Sequence, residues 1–455
     1  MYRVTKYIIH QKDELYEYCD KMARLANNMY NVSLFYIRQV LTATDKLAKG
    51  EKLQENEIAV LAEIEVALPA MNACRKKGKP FVMPSPKKKT LGYEFLDALF
   101  KVTNNSDYTS ELPKQTSQNM IKLAVKAMKG FFESLKSYKQ DASSFSGRPK
   151  LPHYKKSGGI CTLEFTNQDA VLRDGMLKLP KTKLMLSVGN SVTGKLKTVQ
   201  IKPYYGNFVF VVTYDDGITP VDEPAEANRI AAIDFGVNNI AAIANNADLP
   251  GLLFKGGIIK AENQWFNRKR ASIMHGLTVG QTKPKQFTCR ALDKLSMRRD
   301  GVMRTYMHTL SNKIIAWCIE NNIDTLVLGR NKDWKQEVDM GAENNQSFVS
   351  MPFYQLQQYL HYKGANNGIR VIEQEESYTS KASFLDNDDI PVYKKSNDEK
   401  YKFSGHRVKR GLYKSHDGTI INADLNGAGN ILRKAYPEAF QNASTYRFLT
   451  EIKSM

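Results

Sequence analysis

From Ala227 onward the hydrophobic pattern changes period in a set order, and that order narrows the possible folds more than any other feature of this 455-residue chain. Apolar runs at 229–235, 239–244 and 251–255 are separated only by short turns, which predicts three antiparallel neighbours. Two helical stretches follow. The first carries Trp265, Phe266, Arg268, Lys269 and Arg270, and the second runs from about Val302 to Asn321 with Met303, Met307, Leu310, Ile314 and Trp317 along one stripe. A strand over Thr325–Gly329, a helix over 352–363, a strand over 369–374 and a helix starting near Asp424 complete the series.

The segment before it is built differently. One strand over the first eight or so residues precedes a mostly helical stretch. Tyr18, Met22, Leu25, Met29, Tyr36 and Val40 recur at helical spacing, Glu55–Leu68 forms a second helix, and a third follows Leu112-Pro113. Composition shifts at Ser143-Ser144-Phe145-Ser146-Gly147-Arg148-Pro149, and from Cys161 to Tyr214 short alternating runs predict a small β-barrel that the N-terminal strand completes. Val221-Asp222-Glu223-Pro224 reads as a linker. The chain is thus expected to be multidomain, α+β then α/β, and its last part has the strand and helix order of an RNase H-like fold.

Charge limits the partners. Lys and Arg number 66 against 47 Asp and Glu, a formal net charge of +19, and so large an excess fits a polyanion. No signal-peptide core and no run of about 18 apolar residues is present, so neither secretion nor a membrane partner is expected. The five cysteines stand singly, without a Cys-x-x-Cys pair, which gives no case for zinc or a disulfide framework.

Two acids carry the chemistry. Ile230-Ala231-Ala232-Ile233-Asp234 ends an apolar run on a carboxylate, with Ile233 and Phe235 turned to the opposite face. Ala423-Asp424-Leu425-Asn426-Gly427-Ala428-Gly429-Asn430 places another at the start of a helix. A strand-end turn would explain Asp234 alone and a helix N-cap Asp424 alone. The small residues at 427–429, however, leave room beside a ligand, and Asn426 is placed to support the acid. Carboxylates are the ligands of hard divalent cations. Two Mg²⁺ ions about 4 Å apart supply what phosphodiester hydrolysis needs, and Mn²⁺ is expected to substitute.

These segments resemble the RuvC nuclease motifs of TnpB, the transposon-encoded, RNA-guided endonuclease family ancestral to type V CRISPR effectors. The likeness spans most of the chain, including the helical part and the junction Gly147-Arg148-Pro149-Lys150. Ser377-Tyr378-Thr379-Ser380-Lys381 is similar to the family's lead-in to its zinc ribbon. Two departures stand out. The family sets a catalytic Glu at the end of the strand that here closes on Leu328, but Gly329 occupies that position and no acid is available there. The resemblance then implies either a dead nuclease or a Glu moved to the next strand, where Val371-Ile372-Glu373-Gln374-Glu375-Glu376 offers one. Alternation puts Glu373 and Glu375 on one face and Glu376 at the strand exit; Glu376 is the preferred third acid, Glu375 the next. The second departure is Ala382, which stands where a ribbon cysteine is expected, and 379–420 contains no cysteine, so zinc is not expected. That polar, irregular segment would take its shape from Phe384, Leu385, Tyr393, Phe403, Leu412 and Tyr413 and act as a target loop, with Arg407, Lys409, Arg410 and Lys414 facing phosphate.

The resemblance implies three domains: a β-barrel wedge from 1–10 and 147–225, a helical recognition domain over 11–146, and a RuvC-like nuclease domain over 226–455 with the target loop inserted at 379–420. It implies an RNA-guided endonuclease that cuts double-stranded DNA beside a short adjacent motif. Asp234, Glu376 and Asp424 would be its catalytic metal ligands. Guide RNA and target DNA would lie along Lys87, Lys88, Lys89, Arg268, Lys269, Arg270, Arg298, Arg299 and the target-loop cations, with base pairing selecting the sequence. A nuclease-inactive RNA-guided repressor and a guide-independent transposon accessory protein are the alternatives. The expected location is a prokaryotic cytoplasm, at the nucleoid.

Overall fold

The computed structural model describes the chain except for residues 76, 220, 225, 281–286, 331–350, 393–400 and 442–445. It divides into two compact units, Met1–Ile218 and Thr219–Met455.

Among the described residues, the helices of the first unit are α1 (Leu15–Lys49), α2 (Glu55–Ala73), α3 (Tyr93–Val102) and α4 (Lys114–Gln140). α2 opens on a capping box, in which the Glu57 carboxylate accepts the Gln54 amide at 2.7 Å. The strands are β1 (Tyr2–Ile9), β2 (Leu163–Thr166), β3 (Val171–Arg173), β4 (Met176–Lys178), β5 (Met185–Ser187), β6 (Lys195–Tyr204) and β7 (Asn207–Asp215). β1 does join them, antiparallel to β7 from Tyr2↔Asp215 to Ile9↔Phe208. The barrel expectation needs correction: the strands form two open sheets, ordered β1-β7-β6-β2 and β3-β4-β5. The reason lies in packing. Met22, Met29 and Leu34 of α1 and Ile121 of α4 share one apolar core with Phe165, Val199 and Phe210, so helices cover the sheet face that a barrel would close upon. Helical and strand segments of this unit therefore have a common core, and the composition shift near Ser143 does not separate two.

The second unit is built on a six-stranded sheet ordered β12-β11-β8-β9-β10-β16. β8 (Ile230–Asp234), β9 (Asn239–Asn245) and β10 (Gly251–Lys255) are antiparallel neighbours. β11 (Thr325–Arg330) runs parallel to β8, and β12 (Arg370–Glu375) parallel to β11. Alternation sorts the side chains by face. Ala231 and Ile233 of β8 and Leu326 and Leu328 of β11 pack under α5 (Gly257–Thr278), α6 (Arg290–Glu320) and α7 (Phe353–Asn366) through Ile259, Met307, Ile314, Phe353 and Leu360. Ile230, Ala232 and Val327 face the other way, onto Ile431 and Leu432 of α8 (Ala423–Ala435). Among the described residues, no helix is long and apolar enough to cross a membrane.

The segment expected to be irregular before α8 carries a three-stranded sheet of β13 (His406–Lys409), β14 (Leu412–Lys414) and β15 (Ile420–Asn422). Its strands are short and mostly exposed, so no hydrophobic alternation announces them. Tyr413 is the buried anchor, and its hydroxyl donates to Lys381 O at 2.7 Å. Phe384 packs against Phe440, Tyr446 and Phe448. Leu412 is exposed, contrary to its expected packing role, and Tyr393 lies outside the described residues. Two carboxylates draw the segment together. Asp388 accepts from the Ser383 and Ser404 amides at 2.8 and 3.0 Å, and Asp386 accepts from the His416 amide at 2.9 Å. After α8, α9 (Arg447–Thr450) leads into β16 (Ile452–Ser454), which extends the main sheet parallel to β10.

Candidate metal centre

The alternation along β8 continues to its last residue. Asp234 has the parity of Ile230 and Ala232, so its carboxylate points toward α8, and Gly427 makes room for it. A Cβ added at Gly427 would lie 2.5 Å from Asp234 Oδ2. Across the sheet, Leu328 of β11 pairs with Ile233, which sets Gly329 level with Asp234 and on the same face. A Cβ added at Gly329 would lie 2.6 Å from Glu376 Oε2 and 2.7 Å from Ile431 Cδ1. The Glu376 carboxylate, arriving from the exit of β12, takes the volume that a side chain at 329 would fill, and glycine is required there.

Asp424 enters from α8. The N-cap of this helix is Asn422, whose Oδ1 accepts from the Asp424 and Leu425 amides at 3.0 and 3.1 Å. The capping role is therefore filled by a neighbour. Asp424 Oδ2 accepts from Asn239 Nδ2 at 2.7 Å, and its Oδ1 faces Arg407 Nη2 at 4.0 Å.

The three acids feel one another. Burial, then the negative charges of Glu376 and Asp424, push the Asp234 carboxyl well above the usual carboxylate range, with Arg407 opposing. Among the described residues, no three His, Cys, Asp or Glu side chains are already gathered as a metal cage. Burial and the like charges of the other two acids thus disfavour the charged form of Asp234. Such a set of hard, anionic oxygen donors, one of them desolvated, fits a hard divalent cation.

The other two candidate acids face elsewhere. Glu373 pairs with Arg330 and stands 3.5 Å from His361 Nε2. Glu375 accepts from Lys434 Nζ at 2.6 Å and from the Ser377 amide at 2.7 Å. Burial raises its carboxyl, but Lys434 and Ser377 outweigh this and hold it below the usual range. Asn426 does not support Asp424 as expected. Its Nδ2 donates to Ala382 O at 2.8 Å and its Oδ1 accepts from the Phe384 amide at 3.0 Å. One turn further along α8, Asn430 donates to Thr379 O at 2.9 Å and Ala382 O at 2.7 Å. These two amides clamp the turn that follows Glu376, in which Thr379 Oγ1 donates to Glu376 O at 2.8 Å. Asn430→Ala should destabilise this unit by roughly 2 kcal/mol, because buried carbonyls lose a donor. Its melting temperature should fall by about 4–8 °C, readable by calorimetry.

The basic positions fall into two groups. Arg268, Lys269, Arg270, Lys409, Arg410, Lys87 and Lys88 are exposed. Others make contacts within the protein: Lys89 pairs with Asp45, Arg298 stacks over Trp265 at 4.1 Å and meets Glu262 at 3.2 Å, and Arg299 donates to Asn263 Oδ1 at 2.8 Å. Burial pushes the Cys161 thiol up to about 11 and those of Cys19 and Cys318 to about 12, which makes all three poor nucleophiles; Cys74 is exposed.

Known proteins resemble the segments that carry these acids. Residues 210–335 match the OrfB_IS605 family, described as a probable transposase, and residues 353–431 match the Cas12f1-like TNB domain. The first segment contains Asp234, the second Glu376 and Asp424. The chain is 26% identical over 216 residues to the TnpB-like protein ORF457 of Acidianus two-tailed virus, covering 46% of this chain and 42% of that protein. It is 25% identical over 226 residues to the CRISPR-associated endodeoxyribonuclease Cas12f1 of Sulfoacidibacillus thermotolerans, covering 48% of each. These matches span less than half the length of either relative. Among solved structures, the mini-RNA-guided endonuclease CRISPR-Cas_phi3 aligns with 96% of this chain and 92% of its own, at 10% identity and a TM-score of 0.41. With one family model over Asp234 and another over Glu376 and Asp424, the chain is similar in this unit to TnpB-like and Cas12f1 proteins.

Proposed function

We propose that this protein is an RNA-guided endonuclease that cuts double-stranded DNA in a RuvC-type site, next to a short adjacent motif. The observation that carries the reading is the convergence of Asp234, Glu376 and Asp424 from β8, the exit of β12 and α8: Asp234 lies against Gly427, Glu376 against Gly329 level with Asp234, and the charges of Glu376 and Asp424 act on the Asp234 carboxyl. An acid cluster of this kind is a poor match for a protein of net charge +19 that only binds nucleic acid, because uncompensated carboxylates repel phosphate. The relative from Sulfoacidibacillus thermotolerans is an endodeoxyribonuclease, which supports the same reaction class.

In this reading Asp234, Glu376 and Asp424 hold two Mg²⁺, for which Mn²⁺ can substitute. When bound, the pair supplies an activated water and charge neutralisation at the scissile phosphate. The chain does the rest. Gly427 and Gly329 leave space for the Asp234 and Glu376 carboxylates, the Asn426–Asn430 clamp fixes the turn that follows Glu376, and Asn239 donates to Asp424. Arg407, 4.0 Å from Asp424, lies where it can meet a phosphate approaching the acids. The exposed cations of α5 and the target loop contact the backbone without reading sequence, so guide pairing selects the target.

Full-length protein purified from a host carrying its own locus should contain RNA. Sequencing that RNA supplies a guide. With a matching plasmid whose flanking bases are randomised, the complex should linearise a subset sharing one flank, in Mg²⁺ and not in EDTA. Binding without cutting on every flank would instead identify an inactive RNA-guided binder. Purification free of RNA would identify a guide-independent protein.

A further inference from the structure

The turn joining β8 to β9 brings two groups to the acid cluster. Asp234 closes β8 and Asn239 opens β9. Asn239 Nδ2 donates at 2.7 Å to Oδ2 of Asp424, a residue 185 positions away on another element. The N-cap on α8 secures only the backbone of Asp424, through Asn422. The side chain is held by Asn239 on one oxygen, while the other oxygen faces Arg407 at 4.0 Å.

We infer that Asn239 is a positioning residue for Asp424: its amide fixes Oδ2 and so presents Oδ1 to the cation that Asp424 shares with Asp234 and Glu376. This rests on the metal reading above and deepens it. An amide suits the task for a physical reason. It donates a hydrogen bond without bringing a charge, whereas a lysine at 2.7 Å would compete with the cation and a carboxylate would repel Asp424. Carboxylates that bind metal are generally held by such outer hydrogen bonds, and removing one weakens metal affinity or activity by about 10–100-fold.

The test uses the full chain stripped of nucleic acid, with Mn²⁺ as the probe and free Mn²⁺ read by electron paramagnetic resonance. Asn239→Leu keeps the side chain's size and removes the donor; Asn239→Ala removes the donor without risk of overpacking. Each should weaken Mn²⁺ binding by about 10–100-fold. In the RNA-loaded protein, the Mg²⁺ concentration for half-maximal cleavage should rise by a similar factor, and excess Mg²⁺ should restore most of the rate. If either variant melts as the wild type does in EDTA and binds Mn²⁺ within twofold of it, the inference is overturned. Asp424→Asn separates the two levels. If it abolishes Mn²⁺ binding while the Asn239 variants do not, only the role of Asn239 falls; if it also binds normally, the metal reading falls with it.

Discussion

Asp234→Asn is expected to abolish strand cleavage and, in the same protein, to stabilise the metal-free fold. The loss of cleavage should be at least about a thousandfold, or roughly 4 kcal/mol of transition-state stabilisation. The gain in stability has the opposite sign to most substitutions of buried residues, and its direction follows from linkage. Asp234 is half-buried at the end of β8, and its desolvation and the charges of Glu376 and Asp424 raise its carboxyl above the value it has in the unfolded chain. The folded state therefore binds the proton more tightly than the unfolded state. In EDTA, wild-type stability should be full below the ordinary carboxylate pKa and should fall as pH rises from there through the raised value. Asparagine carries no charge and removes that loss. At neutral pH the variant should melt a few degrees higher than the wild type, with a flatter dependence on pH over this window. Such a trade of stability for function is common at active sites. Calorimetry across pH, with and without divalent cation, checks both halves. A variant that melts lower than the wild type in EDTA would mean that the acid is not electrostatically strained.

The second large effect separates three glutamates that lie within four residues. Glu376→Gln should lower cleavage by about a thousandfold or more, whereas Glu373→Gln and Glu375→Gln should each lower it by less than about tenfold. Their partners make the difference. Glu373 is engaged by Arg330, and Glu375 by Lys434 at 2.6 Å. Lys434 is itself buried, so Glu375→Gln leaves an ammonium without its counter-charge and should appear as lost stability, by roughly 2–3 kcal/mol, rather than as lost chemistry. Glu376 instead raises the Asp234 carboxyl and lies against Gly329. Cleavage rates at saturating DNA, taken together with melting temperatures, distinguish the two behaviours. A severe kinetic defect in Glu375→Gln with normal melting, alongside an active Glu376→Gln, would move the third acid to 375.

Much of the second unit was legible in the sequence because its signals are local. The short apolar runs at 229–235, 239–244 and 251–255 are the observed β8, β9 and β10, and the three-and-four spacing of Met303, Met307, Leu310 and Ile314 is the buried stripe of α6. The acid at the end of β8 was visible because an apolar strand rarely closes on a carboxylate without a use for it. What stayed hidden depends on contacts between distant segments. The carboxylate bonds of Asp386 and Asp388 join residues up to 30 positions apart and have no periodic signature. The sheet β13-β14-β15 has one wholly buried aromatic, Tyr413, and otherwise reads as a charged loop. Alternation places Glu375 on the face of Glu373, yet from the last position of β12 its carboxylate reaches Lys434 on α8. Asn239 gave no sequence signal, because a hydrogen bond spanning 185 residues leaves none. Asn426 and Asn430, one helical turn apart, did offer a trace: two buried amides on the same side of an otherwise small and apolar helix imply a backbone to be held.

The most direct measurement is anomalous diffraction from crystals of this protein soaked in Mn²⁺. Mn²⁺ peaks are expected within ligand distance of Asp234, Glu376 and Asp424 together, lost in the Asp234→Asn crystal. Peaks that avoid these residues, or touch only one of them in a protein that still cuts DNA, would contradict a metal site shared by the three acids.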